Sequence, residues 1–201
     1  MTNSRLTREQ QRAKTRDDLL QAAAEVFARH GYHGTSVDMV AESAGYTKGA
    51  VYSNFSSKEE LFLALLEERR EQTIADVQRV MDESAPGDRA EAFGERRDRL
   101  AQWTPEWFLL EAEFELYAAR HPEVRERVAE RQAATREVVA AAIERHIGDL
   151  ELEPAYPLED IAHLVVAVGD GLSLMALNNP DMQTGQLMQV FLEVMTKGAA
   201  K

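Results

Sequence analysis

Thr47, Lys48, Gly49, Tyr52 and Ser53 set a hydroxyl, an ammonium, a bare stretch of backbone, a phenol and a second hydroxyl close together. This is chemistry for holding phosphate and base edges rather than for breaking bonds. On a short helix starting near Thr47, the apolar Val51 and Phe55 turn inward and leave those five outward. Thr47 and Lys48 then stand at the helix N-terminus, where backbone N–H groups and the helix dipole attract phosphate. Lys48 reaches a base edge or a phosphate, and Gly49 lets the backbone approach DNA closely. Tyr52 offers its hydroxyl to phosphate and its ring face to a thymine methyl.

Other chemistries lack their residues. There is no cysteine, which removes disulfides, thiolate metal sites and a thiol nucleophile together. No Gly-x-Ser-x-Gly, Gly-x-Gly-x-x-Gly or His-x-x-x-His spacing occurs, and His30, His33, His121, His146 and His163 are scattered. The expectation is a protein without catalytic set, metal or cofactor.

The elements that position the polar segment read as helices. Thr7 with Gln10 forms a capping box ahead of Leu19, Leu20, Ala23, Val26 and Phe27, spaced at three and four. Gly31 supplies a left-handed residue to close that helix. Thr35 or Ser36 caps a second, short one with Val37, Val40, Ala41 and Ala44 on one face, and Gly45 stops it. Only Gly45 and Tyr46 separate it from the helix near Thr47–Ser53, the tight turn that a helix-turn-helix requires. Ser57 with Glu60 opens a helix running to about Glu83. Pro86-Gly87, Thr104-Pro105, His121-Pro122, Pro154, Pro157 and Asn178-Asn179-Pro180 punctuate the rest into further helices. The fold class is all-α: a three-helix head over 1–55 with a basic arm at 1–16, and a helical body over 56–201, about nine helices in all.

The net charge of −12 is unevenly spread. Residues 1–55 carry seven Lys/Arg against six Asp/Glu, a net of +1 that leaves −13 for the remainder. A basic tip on an acidic body meets phosphates tip first. Arg5, Arg8 and Arg12 read either as an arm touching phosphate or the minor groove, or as a solvated end. The N-terminus is too polar for a signal peptide and no apolar run spans a bilayer, so a cytoplasmic protein with no membrane partner is expected.

Residues 19–66 resemble the N-terminal domain of the tetracycline-repressor (TetR) family. The likeness rests on Ala22-Ala23, Phe27, Gly31-Tyr32, Thr35-Ser36-Val37, Val40-Ala41, Ala44-Gly45, Lys48-Gly49-Ala50-Val51-Tyr52, Phe55 and Ser57-Lys58-Glu59-Glu60-Leu61. It implies that the hydroxyls of Thr35 and Ser36 and the charge of Lys58 hold phosphates, and that Lys48, Gly49, Tyr52 and Asn54 line the DNA face. Asn54 stands where many members have histidine. The resemblance implies operator DNA as partner and a sequence-specific repressor. An activator, or a DNA-associated structural protein without ligand, is the alternative.

In the body, the last two helices carry apolar surplus: Leu164, Val168, Leu172 and Met175 beside Gly171 on one, Leu187, Phe191 and Val194 on the other. The resemblance implies that these pair with a second copy as a four-helix bundle, making a homodimer. Trp103, Trp107, Glu111, Phe114 and Tyr117 gather aromatic rings around a carboxylate, which suits a small cationic or neutral lipophilic effector. The same residues also read as ordinary core with Glu111 at its edge.

Overall fold

The structure is a computed structural model describing residues 7–103 and 105–199, with the side chains of 99–103, 105 and 198–199 left undescribed. Among the described residues there are nine α-helices and no strand. They are α1 (Arg8–Gly34), α2 (Val37–Ala44), α3 (Lys48–Asn54), α4 (Lys58–Glu83), α5 (Arg89–Trp103), α6 (Pro105–Arg120), α7 (Pro122–Asp149), α8 (Leu158–Ala176) and α9 (Thr184–Ala199). A 3-10 turn at Pro86–Asp88 joins α4 to α5. No helix among them is long and apolar enough to cross a membrane.

Local chemistry accounts for most boundaries. Thr7 and Gln10 exchange the reciprocal bonds of a capping box at the start of α1. Near its end Gly31 takes φ 70°, a backbone conformation costly for any residue with a Cβ. Ser36 and Thr47 cap α2 and α3, and Gly45 ends α2 at φ 71°. At α4 the Glu60 amide donates to Ser57 Oγ at 3.1 Å. The Glu60 carboxylate also accepts from the Ser56 amide at 2.6 Å.

The chain divides into two compact units between Arg69 and Arg70. That division lies inside α4. The physical reason is burial: Leu61, Phe62, Leu65 and Leu66 on the first turns of α4 are at most 3% exposed. Phe62 meets Phe27 edge-on at 4.9 Å and Tyr32 at 5.3 Å between ring centres. Leu19, Ala23, Val40, Val51 and Phe55 complete this core.

The body is held by one unusually close helix crossing and by buried charge. Gly94 of α5 and Gly185 of α9 approach so closely that a Cβ on Gly94 would stand 2.7 Å from the Gly185 carbonyl oxygen. The Asp98 carboxylate fastens the crossing by accepting the Gly185 amide at 2.7 Å. Arg89, 4% exposed, donates to the Met81 carbonyl at 3.1 Å and pairs with Asp149 at 2.7 Å, which ties the end of α4 to α5 and α7. A methyl group at Gly185 would collide with backbone and with Asp98. Gly185→Ala is therefore expected to destabilise the protein by about 1–3 kcal/mol, the range for overpacked cores. Denaturant unfolding checks this, and an unchanged midpoint would contradict the crossing.

Candidate nucleic-acid interface

Helix α3 has seven residues, two turns, and its outer face is set by what its inner face buries. Val51 and Phe55 are 1% exposed, which turns Lys48, Gly49, Tyr52 and Ser53 outward. Arg16 of α1 fixes the far end: its guanidinium lies 4.4 Å from the Phe55 ring centre and donates to the Asn54 carbonyl at 3.3 Å. Thr47 stays exposed while its hydroxyl accepts the Ala50 amide at 3.2 Å. Tyr52 is 48% exposed.

The structure separates the remaining expected DNA residues. Ser36 is exposed at the start of α2, its oxygen accepting the Met39 amide at 3.3 Å. Thr35 does not join this surface. It is 3% exposed, and its hydroxyl donates to the Gly31 carbonyl at 2.8 Å, sealing the end of α1. Asn54 turns its amide back to donate to the Ala50 carbonyl at 2.9 Å. Lys58 is half-buried with its ammonium 4.4 Å from the Tyr32 ring centre, and burial lowers it below the usual lysine value. The basic arm is helix for most of its length: Arg8 and Arg12 are exposed on α1, and Lys14 pairs with Asp18 at 2.7 Å. Arg5 lies outside the described residues. One residue that sequence patterns gave no reason to single out enters the face, since Asp38 of α2 holds the Lys48 ammonium at 2.8 Å.

In the body, Trp103 is the last residue of α5, its side chain outside those described. Trp107, Glu111 and Tyr117 are half-buried, and Phe114 is fully buried and stacked on Tyr117 at 6.0 Å. Beside Glu111, four helices bring charges together. Arg97 of α5 donates to the Gly169 carbonyl at 2.5 Å and the Ser173 hydroxyl at 2.7 Å. Glu115 of α6 accepts from Gln132 of α7 at 2.9 Å, with Arg131 at 4.0 Å. Asp170 of α8 has no hydrogen-bond or ion-pair partner among the described residues. Surrounding protein, then Glu115 and Glu111, push its carboxyl up to about 6 against the pull of Arg97 and Arg131. Asp170 is itself exposed, so this is a crowded group of charges at the surface of the body. A separate cavity of about 380 Å³ between α4 and α5 is lined by Asp76, Arg79, Glu83, Glu95 and Arg96 among others, too polar for a lipophile.

Of the expected dimer residues, Leu164, Met175, Leu187 and Val194 are 43–61% exposed, while Val168, Gly171, Leu172 and Phe191 are half-buried. Val190 and Leu174 add to this uncovered apolar face.

Known proteins resemble this chain in both of its units. The family pattern "Bacterial regulatory proteins, tetR family" matches residues 19–65, and that of the "BetI-type transcriptional repressor, C-terminal" matches 86–197. The chain belongs to the TetR family. Among its relatives, the HTH-type transcriptional repressor AcnR of Corynebacterium diphtheriae is 30% identical over 161 residues, covering 78% of this chain and 77% of AcnR. The HTH-type transcriptional activator FasR of Mycolicibacterium smegmatis is 40% identical over 70 residues, which is 35% of this chain and 32% of FasR. The crystal structure of the transcriptional regulator FadR from Bacillus subtilis in complex with stearoyl-CoA aligns with a TM-score of 0.73 at 20% identity, over 90% of this chain and 98% of FadR. That last likeness concerns the fold alone.

Membership makes this chain a helix-turn-helix transcription regulator of a family that is not enzymatic, and makes DNA its partner. Tyr52 is expected to matter to DNA while contributing little to the core. Tyr52→Ala should weaken duplex binding by about 1–3 kcal/mol. Fluorescence anisotropy on a bound duplex, alongside thermal melting, separates the two effects; unchanged affinity would remove Tyr52 from the interface.

Proposed function

We propose that this regulator is a repressor that binds a palindromic operator as a homodimer and lets go when a small lipophilic molecule, cationic or neutral, enters the body. It acts in the cytoplasm on double-stranded DNA. The observation that carries the reading is the AcnR likeness, which runs through head and body alike, joined to a BetI-type repressor pattern over 86–197. The FasR match covers little more than the head and gives no ground for an activating output. Two-fold pairing through α8 and α9 covers the exposed Leu164, Met175, Leu187, Val190 and Val194 and sets two copies of α3 on two half-sites.

The charges around Asp170 support the effector class. Three carboxylates, Glu111, Glu115 and Asp170, face two guanidiniums, one of which already serves the Gly169 carbonyl and the Ser173 hydroxyl. An anionic ligand adds like charge there, whereas a cation or a neutral lipophile does not. A ligand releases DNA only through its different affinity for the bound and free states. Helix α4, continuous from Lys58 to Glu83 through the division of the two units, is the covalent link by which a change in the body reaches the head.

Selection of bound duplexes from random DNA should return a palindrome, and light scattering should report a dimer that Leu172→Glu breaks. Lipophilic cations, neutral lipophiles and long-chain acyl-CoA are then compared for release of that duplex. Release by acyl-CoA alone would overturn the charge argument, and release by nothing would remove the ligand from the reading. A pH experiment tests this group of charges. A carboxyl raised from 3.8 to about 6 binds its proton more tightly in the folded state, so folding stability falls as pH rises between those values. Asp170→Asn should raise the melting temperature at pH 7.5 and leave it unchanged below about pH 4. An equal shift at both would show that its neighbours do not raise the Asp170 carboxyl.

A further inference from the structure

Lys48 does not stand alone at the start of α3. Its ammonium and the Asp38 carboxylate lie 2.8 Å apart, with 55% and 63% of their side-chain surfaces exposed. Asp38 sits in the first turn of α2 and Lys48 opens α3, so the pair spans the two N-termini of the helix-turn-helix. Tyr52 is near enough to add to the lysine's raised pKa, whose main cause is the Asp38 bond. Each partner keeps spare capacity: the ammonium has further N–H groups, and the carboxylate further lone pairs. What the face presents to DNA is a donor and an acceptor side by side at hydrogen-bond distance.

The major-groove edge of a G·C pair is the complement of that arrangement. Guanine O6 accepts and cytosine N4–H₂ donates, and the two are hydrogen-bonded to each other at about 2.9 Å. Lysine Nζ can meet O6 and aspartate Oδ can meet N4 without the ion pair opening. A T·A pair also sets an acceptor, thymine O4, beside a donor, adenine N6–H₂, so the neighbouring groups decide. Next to guanine O6 lies N7, a second acceptor for the ammonium, and next to cytosine N4 the carboxylate meets only C–H. Over T·A, the thymine methyl sits under the ammonium and the adenine N7 lone pair faces the carboxylate. Both ends favour G·C. A phosphate fares worse than either, because it brings its charge against Asp38 as well as competing for Lys48.

We propose that Asp38 and Lys48 act as one reading unit that selects a G·C base pair in each half-site, lysine on guanine and aspartate on cytosine. The proposal rests on DNA binding through α3. Asp38 thereby serves two ends, accepting from cytosine at the right site and repelling phosphate elsewhere.

The test is selection from random duplex DNA by the full-length wild type, Asp38→Ala and Lys48→Ala, followed by affinity measurements over a range of salt. The wild type is expected to recover a G·C position in each half-site, and converting it to T·A should weaken binding about 5- to 150-fold. Both variants should lose preference at that same position. Asp38→Ala should bind an unrelated duplex more tightly than the wild type, with a salt slope steeper by about 0.9 per subunit as Lys48 turns to phosphate. Asp38 is exposed, and thermal melting verifies that its variant stays folded. The proposal is overturned if Asp38→Ala keeps the wild-type preferences, if it weakens all duplexes alike, or if the position lost is not G·C. A wild type that selects no sequence at all would overturn DNA reading through α3 together with the proposal.

Discussion

A two-turn helix does not hold its shape in water, because nucleating it costs more than so few backbone bonds return. Everything the head does therefore depends on burying Val51 and Phe55, which together leave α3 one rotation about its axis. The rest of the head serves that burial. Phe27, Tyr32 and Phe62 build the aromatic wall of the core, Arg16 covers the Phe55 ring, and Thr47 and Gly45 satisfy the helix ends on either side of the turn. Rigidity of the outward face of α3 is thus a property of the core beneath it and of its caps. It also explains why the first turns of α4 belong with the head: without Leu61, Phe62 and Leu66 the core would be open on one side.

The body is built on a different principle. Its helices carry many charges, and several are drawn inward instead of being left in water. Arg89 and Arg97 give their guanidiniums to backbone carbonyls on other helices, so they act as cross-braces as well as charges. Such groups are costly to bury and give little net stability, but they fix which helix lies beside which. Asp170 is left without a matching donor among the described residues, and crowding by surrounding protein, then by Glu115 and Glu111, raises its carboxyl to about 6.

How far the sequence revealed this architecture follows from the range of each interaction. Features fixed within four residues were legible: the Thr7–Gln10 box, the glycines at 31 and 45, the proline starts of α6 and α7, and the length of α4. The outward face of α3 was legible in outline, since Val51 and Phe55 orient the helix through helical period alone. Contacts across longer separations were not. Thr35 has the right chemistry for phosphate, yet the fold brings the Gly31 carbonyl to its hydroxyl and buries it. Asp38 lies ten positions from Lys48 and meets it only because the turn at Gly45 folds α2 back beside α3. Arg97 finds Gly169 across 72 positions, a pairing to which no local period points.

The crossing of α5 and α9 reaches beyond this one molecule. Two glycines in contact already represent the smallest residues available, so a larger side chain at one cannot be offset by a smaller one at the other. The crossing has no compensating exchange, and the Asp98 bond fixes its register as well as its closeness. Divergence at these positions must either stop or separate the helices. Gly94, Asp98 and Gly185 are therefore coupled, and a side chain at either glycine costs both the closeness and the register of α5 against α9.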